Sequence, residues 1–430
     1  MDRRRFMKQS VPLGIAAFYT PQSLTATSLI PDLNALPLES VDLSDPSDEE
    51  AWAKISAHFM KPEGVTQLEH GYFSHSPTGV LLETQRAMSD IQRKTSLFMR
   101  REQDQWVEDT RTDLAKFLNV PATELAITRN TTESLNTVIQ GFHWKAGDEV
   151  IIGDQDYGSM NEAFEQASKR YGIVLKVAKV PLIPKSDEEV VDAYMSLLTA
   201  KTKMLHLTHL INLSGQVIPL EKLCKAARDK AGDELCIVVD AAHSLNHVPV
   251  FWREAGCDIM AASLHKWTMS PLGLGMLWVK EAWIPRIWPL MGDVNRKDTD
   301  IRRLEHLGTR PLEVFAGLRY ALKFHREVLP IQAKAARLRY LQESWTASLK
   351  DTKHFQSNTP LEAGRSYAIA NLKHSSLKPA ELAQKLWDEF KIFTVAIDHP
   401  VVKGVRITPH LSNSIEDIHR LNTALKVLDK

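Results

Sequence analysis

From Leu125 onward, short apolar or β-branched runs recur along the chain, each separated from the next by a stretch of helical spacing. The candidate strands are Leu125 to Thr128, Val150 to Gly153, Ile173 to Val180, Met204 to Leu210, Cys236 to Asp240, Ile259 to Leu264 and Met276 to Val279. Between them, Asn161 to Tyr171, Asp187 to Thr199 and Leu220 to Lys230 repeat apolar residues three and four apart, the period of a helix with one buried face. Such alternation predicts an α/β fold, a mostly parallel seven-stranded sheet with helices on both faces. Past Pro311 the pattern changes. A long helical stretch, Glu313 to Leu349, leads to strands at Ser366 to Leu372, Phe393 to Ile397 and Val405 to Thr408, which predicts a smaller α+β C-terminal domain. Residues 29–65, rich in Pro, Asp, Ser and Leu, read as an extended arm with a short helix near Glu49 to His58. The expected organisation is therefore an arm at 29–65, a large domain at 66–310 and a small domain at 311–430.

Ligands on parallel sheets sit beyond the carboxyl ends of the strands, so polar residues there come first. Asp240 ends the apolar run Cys236-Ile-Val-Val, and Ser263-Leu-His265-Lys266 follows the next run. Alone, an Asp there reads as a helix cap and a Lys as a solvated charge. Together, each after its own buried strand, they suit pyridoxal 5'-phosphate (PLP). A lysine forms a Schiff base with the cofactor's aldehyde and then moves protons. A carboxylate holds the ring nitrogen protonated, so that the ring accepts electrons from the substrate. The phosphate needs a cradle, and Thr128-Arg129-Asn130-Thr131-Thr132-Glu133-Ser134 follows a strand and opens a helix with capping-box spacing. Ser263 and His265 are placed to reach the same phosphate.

Composition narrows the partners. With 53 basic and 53 acidic residues there is no basic field for nucleic acid, which leaves a small-molecule substrate. Cys224, Cys236 and Cys257 fit no zinc spacing, and no metal site is expected. The N-terminus carries an address. Arg3-Arg4-Arg5-Phe6-Met7-Lys8, then an apolar stretch from Val11 to Tyr19, matches a twin-arginine export signal over residues 1–28. The expectation is a periplasmic mature protein with no membrane segment, exported after folding around its cofactor.

The chain resembles the class V aminotransferase family of fold-type I PLP enzymes, in its isopenicillin N epimerase-like branch. The likeness runs from about Leu68 to the C-terminus. It rests on Leu68-Glu-His-Gly-Tyr-Phe-Ser74, Asn130-Thr-Thr-Glu-Ser-Leu-Asn136, Asp156-Tyr157-Gly-Ser159 and Thr208-His-Leu-Ile-Asn212-Leu-Ser-Gly215. It continues through Asp240-Ala-Ala-His243, Ser263-Leu-His-Lys-Trp267, Gly308-Thr309-Arg310 and Gly404-Val-Arg406-Ile-Thr408. The resemblance implies that Tyr157 stacks on the cofactor ring and that Asn212 and His243 contact its hydroxyl, although the family often has Gln where His243 stands. It implies that Arg406 clamps the substrate's α-carboxylate, with His70, Arg100 and Arg101 as further candidates facing substrate. It also implies a homodimer in which Thr309 reaches the phosphate of the neighbouring subunit. Cysteine desulfurases of this class use a cysteine in the second half of the chain, and here none follows Cys257.

The expected activity acts on an amino acid or an amino-acid unit of a larger molecule, with Lys266 removing the α-proton. Aminotransfer leads, and epimerisation, racemisation or β-elimination would use the same residues. The export signal joined to this core is similar to periplasmic PLP enzymes that tailor glutamyl groups of pyoverdine siderophores. The rivals are an exported binding protein that keeps the fold without catalysis, and a cytoplasmic enzyme whose N-terminus only mimics a signal.

Overall fold

The computed structural model describes residues 36–250 and 253–430; the export signal read at residues 1–28 lies outside them. A two-residue strand, β1 (Thr66–Gln67), precedes the main sheet. That sheet contains β2 (Leu125–Thr128), β3 (Glu149–Gly153), β4 (Val174–Ala178), β5 (Thr202–Thr208), β6 (Cys236–Asp240), β7 (Ile259–Ser263) and β8 (Gly275–Val279), in the order β2-β8-β7-β6-β5-β3-β4. Only β8 runs antiparallel, to both β7 and β2. The interior strands β5 to β8 are buried almost throughout because helices cover both faces. One apolar layer packs Leu207, Val239 and Met260 on one face of the sheet, and another packs Met204, Val238 and Ala261 on the other.

The C-terminal part contains β9 (Phe355–Ser357), β10 (Ala370–His374), β11 (Ile392–Phe393), β12 (Val395–Asp398) and β13 (Lys403–Ile407). Four of these make an antiparallel sheet in the order β12-β13-β10-β9. Three sequence expectations shift here. The helical stretch from Glu313 divides into Glu313–Glu327 and Ile331–Thr346, because Pro330 has no N–H to continue the first helix and starts the second. The strand expected from Ser366 begins at Ala370, since the Ser366 hydroxyl donates to the Pro360 carbonyl in a turn. The strand expected across Phe393 to Ile397 is two strands: β11 pairs parallel with β1, and β12 pairs with β13.

That parallel pairing matters for the site. Leu68 and Glu69, which the sequence places with the large domain, run beside the C-terminal sheet through a bridge between Glu69 and Thr408. The arm is anchored as well. Asp48 caps helix Glu49–Ser56 by accepting from Glu50 and Ala51, and Trp52, Ile55 and Phe59 pack against Phe324 and Leu411. Helices Thr78–Lys94 and Gln103–Leu118, which the apolar pattern did not announce, pack against Glu313–Glu327. Gly79 and Gly317 allow that approach: a Cβ there would lie 2.0 Å from Tyr320 and 2.4 Å from Thr84.

Candidate active site

Asp240 ends β6 in register with Thr208 of β5 and Ala261 of β7, so it emerges at the centre of the sheet's carboxyl edge. Its Oδ1 accepts from the Ala242 N–H at 2.9 Å. Burial pushes its carboxyl above the usual carboxylate range, against the opposing pull of His206, the Ala242 N–H and Lys266. A buried carboxylate of this kind is stabilised by a cation in contact with it.

Lys266 follows β7, held from below by Ser74, whose N–H donates to the His265 carbonyl and whose hydroxyl donates to the Lys266 carbonyl. Burial pulls its amine down to about 8, with Arg406 acting the same way and Asp240 opposing. The Lys266 Nζ lies 3.0 Å from Nε2 of His243, to which it donates. Burial, reinforced by Lys266 and Arg406, keeps His243 well below the ordinary histidine range and therefore neutral.

The predicted cradle is built from three strands' ends. Asn130 caps helix Thr131–Gly141 by accepting from the Glu133 N–H at 2.9 Å. The Ser263 hydroxyl accepts from the Thr131 N–H at 3.0 Å and lies 2.8 Å from the Thr131 hydroxyl, tying β7 to the helix start. A Cβ on Gly275 would stand 2.6 Å from the Asn130 backbone, so β8 lies flat beneath the turn. Thr131, Thr132, Tyr157, Asn212, Asp240, His243, Ser263, His265, Lys266 and Arg406 all line one cavity of about 420 Å3. Tyr157 stands at its rim, 44% exposed at the start of helix Gly158–Tyr171.

Arg406 enters from β13, and a buried partner that the sequence did not reveal fixes it. Glu69 accepts from Arg406 Nε at 3.1 Å and Nη2 at 2.7 Å, while the Asn212 carbonyl accepts from Nη1 at 3.1 Å. Glu69 also accepts from the N–H groups of Gly71 (3.0 Å) and Tyr72 (2.9 Å). The fork is thus held from behind while Arg406 still lines the cavity. Gly71 is required by proximity, since a Cβ there would lie 2.9 Å from the guanidinium carbon.

One further group escaped the sequence reading, and it pairs with Asp156 of the motif before Tyr157. His206 of β5 is wholly buried, with Nδ1 2.9 Å from Asp156 Oδ2; burial lowers its pKa, but Asp156 and Asp240 outweigh that and raise it. A histidine inside the apolar run Met204-Leu-His-Leu was the available signal. Asp156 also accepts from the Gly153 N–H at 2.8 Å.

Other sequence candidates lie elsewhere. His70 is fully buried on the far side of the Glu69 backbone, its Nε2 3.2 Å from the Gln67 carbonyl, and does not line the cavity. Consecutive residues of an extended segment face opposite ways, and it is Glu69 that faces Arg406. Thr309 and Arg100 line a separate groove of about 640 Å3 with Arg302 and Arg310, and Arg101 lies at the end of helix Ser96–Arg101, lining neither. Cys224, Cys236 and Cys257 are buried away from the cavity, and burial pushes the Cys224 thiol up to about 12.

Comparison with known proteins decides the family. Residues 74–421 match the aminotransferase class-V family. The chain belongs to that family. Among class-V relatives, the isopenicillin N epimerase of Amycolatopsis lactamdurans is 27% identical over 399 residues, spanning 88% of this chain and 99% of its own. The enzyme of the same name from Streptomyces clavuligerus is 26% identical over 88% of this chain and 98% of its own. A probable cysteine desulfurase of Pyrococcus abyssi is 27% identical over 75% of this chain and 83% of its own. Among solved structures, an apo cysteine desulfurase from Thermococcus onnurineus matches with a TM-score of 0.77 at 22% identity, covering 88% of this chain and 98% of that one. The cystine C-S lyase C-DES, in complex with its product cysteine persulfide, matches with a TM-score of 0.74 at 23% identity, covering 84% and 97%.

The fold is therefore fold-type I, and the class-V cofactor is PLP. The cavity fits it. The side chains of Thr208, Asn212, His243 and His265 each hold a buried polar atom with no hydrogen-bond partner among the described residues, and all four line the space above Asp240. Asp240 would meet the ring nitrogen, Lys266 the aldehyde carbon, and Thr131, Thr132 and Ser263 the phosphate.

Proposed function

We propose that this class-V PLP enzyme is an exported aminotransferase-type enzyme that acts on an α-amino acid or an amino-acid unit, tailoring a glutamyl group of a pyoverdine-type siderophore. One observation carries the chemistry: an amine at about 8 and an anchored arginine open onto the same cavity. When bound, PLP supplies an electron sink that acidifies the substrate's α-C–H bond. Arg406 offers its fork to the α-carboxylate, and the Glu69 pair keeps that fork from swinging. Lys266 takes the α-proton at Nζ: with its amine near 8, the neutral form at pH 7 is about 300-fold more abundant than for an ordinary lysine. His243, neutral and 3.0 Å away, accepts the N–H of Lys266 and holds the amine in place.

Lys266 acts as a single base held by His243, and a single base favours moving a proton between neighbouring atoms over inverting a centre. The relatives named as isopenicillin N epimerases support inversion as the second reading. The experiment incubates PLP-loaded protein with free and peptide-linked glutamate in deuterated water, following products by mass. An amino group exchanged for a keto group supports the proposal. Deuterium incorporation with loss of chirality and no keto product selects the second reading, and no change in any glutamyl substrate removes the siderophore role. A purified protein that stays colourless with PLP would return the rival of a non-catalytic binding protein.

Two further parts of the proposal have their own tests. The Arg3-Arg4 signal supports export to the periplasm, and a full-length product confined to the cytoplasm would overturn it. The exposed groove that holds Thr309 supports a homodimer sharing residues between sites, and mixing Lys266→Ala with Thr309→Ala subunits should restore part of the activity neither has alone.

A further inference from the structure

Behind the active-site loop, three histidines meet. His70 and His75 come from the segment after Glu69, and His410 from the segment after Arg406. Their ring centroids stand 4.7 Å (His70–His75), 4.9 Å (His70–His410) and 6.0 Å (His75–His410) apart. One ring nitrogen of each lies within 4.8 Å of one from each of the others. His70 and His410 are fully buried, and Nδ1 of His70 and Nε2 of His410 have no hydrogen-bond partner among the described residues. Unpartnered ring nitrogens in a fully buried position are costly unless something answers them.

Each opposite nitrogen has a partner, and that of His70 donates as in most metal-ligating imidazoles. His70 Nε2 lies 3.2 Å from the Gln67 carbonyl, so it carries the proton and leaves a lone pair on Nδ1. His75 Nδ1 and His410 Nδ1 lie 3.0 Å and 3.1 Å from the same Ser412 hydroxyl.

We propose that His70, His75 and His410 form a three-histidine site for a borderline divalent transition metal, zinc being the first candidate, with a water as fourth ligand. Three imidazoles suit such an ion, and the absence of carboxylates from the cluster disfavours calcium or magnesium. Zinc–nitrogen bonds of about 2.0–2.1 Å put ligand nitrogens about 3.3 Å apart, so the triangle closes by roughly 1.5 Å. His75, only partly buried, has the most room to contribute to that movement. Proton balance is simple. The Ser412 N–H donates to His410 Nδ1 at 3.2 Å, so the apo tautomer carries its proton on Nε2. On loading, that proton transfers to Nδ1, which gives up the Ser412 N–H and donates to the Ser412 hydroxyl; Nε2 binds the metal, and no net proton is released. The ion would join the segment after Glu69 to the one after Arg406, fixing both ends of the carboxylate clamp. It lies under the Lys266 loop, with the Trp267 ring 6.5 Å from that of His410. His410 is remote in sequence from the other two, and no spacing rule links them.

The test uses PLP-loaded protein without a histidine tag. Zinc binding is measured by equilibrium dialysis, Co2+ replaces zinc for its visible spectrum, and Tm is recorded with and without metal. The expected result is one ion per chain, tetrahedral cobalt bands and a metal-dependent rise in Tm. His75→Gln should weaken binding at least about tenfold and abolish the rise, whereas His419→Gln, a surface control, should change neither. If His75→Gln does not fold, Ser412→Ala keeps all three ligands and should weaken binding about tenfold. No binding, or binding that His75→Gln and Ser412→Ala leave unchanged, overturns the proposal. Neither result bears on aminotransfer, which is read from products at Lys266.

Discussion

The cavity around Lys266 has walls of two kinds. On the cofactor side, Asp240, Lys266 and Ser263 hang from the ends of neighbouring strands of one sheet, and Thr131 follows β2 across the same edge. On the substrate side, Asn212 and Arg406 arrive from the loop after β5 and the C-terminal sheet, and Glu69, just after β1, holds Arg406 from behind. The first wall is fixed by strand register and buried on both faces. The second is held by a charge pair whose members lie far apart in sequence. The first arrangement suits a cofactor that stays, the second a substrate group that comes and goes.

The sharpest way to break the contrast is Lys266→Ala. It should lose the visible band of the lysine-bound cofactor and lower turnover by about 10^2 to 10^4-fold, while Tm of the cofactor-free protein holds. A variant that turns over at the parent rate would remove Lys266 from the chemistry. Next is Glu69→Gln, which strands the buried Arg406 charge: stability should fall by about 3 kcal/mol in urea melts, with the cofactor band intact. If the band falls with it, the walls are not independent.

The amine gives a pH test of the first wall. Burial lowers Lys266 to about 8, so its reactive neutral form grows as pH rises and levels off above that value. Cofactor loading by apoprotein should therefore speed up about tenfold per pH unit below about 8 and then plateau. A rise that continues toward the ordinary lysine value would mean the amine is solvated. The smallest effect is expected at Gly71→Ala, whose new Cβ presses on the guanidinium: KM for an α-amino acid should rise about fivefold, roughly 1 kcal/mol, with kcat nearly unchanged.

The same contrast explains what the sequence made legible. Asp240, Lys266 and Thr131 follow apolar runs directly, so a local pattern marks both the strand and the group at its end. Glu69 stood in a quoted motif, but nothing local tells a glutamate that its partner is an arginine on another sheet. His70 was misplaced for a related reason: the motif gave its position and not the face of the extended segment it would occupy. The helices between Thr78 and Leu118 went unread because long polar stretches dilute their apolar stripe, leaving Val80, Ala87 and Leu114 among few fully buried positions. Pro330 was a visible stop inside a run that otherwise kept its period.

The antiparallel strand β8 sets a timetable for synthesis. Thr128 finds its neighbour in Gly275, and β2 has no other partner in the sheet, so the phosphate-binding turn after β2 waits for most of the chain to leave the ribosome. By then Asp240 and Lys266 have already emerged, and the cofactor pocket can close as one event. Arg406 comes last of all. The residues of this chain that would hold the cofactor thus emerge before the arginine that would hold an amino acid.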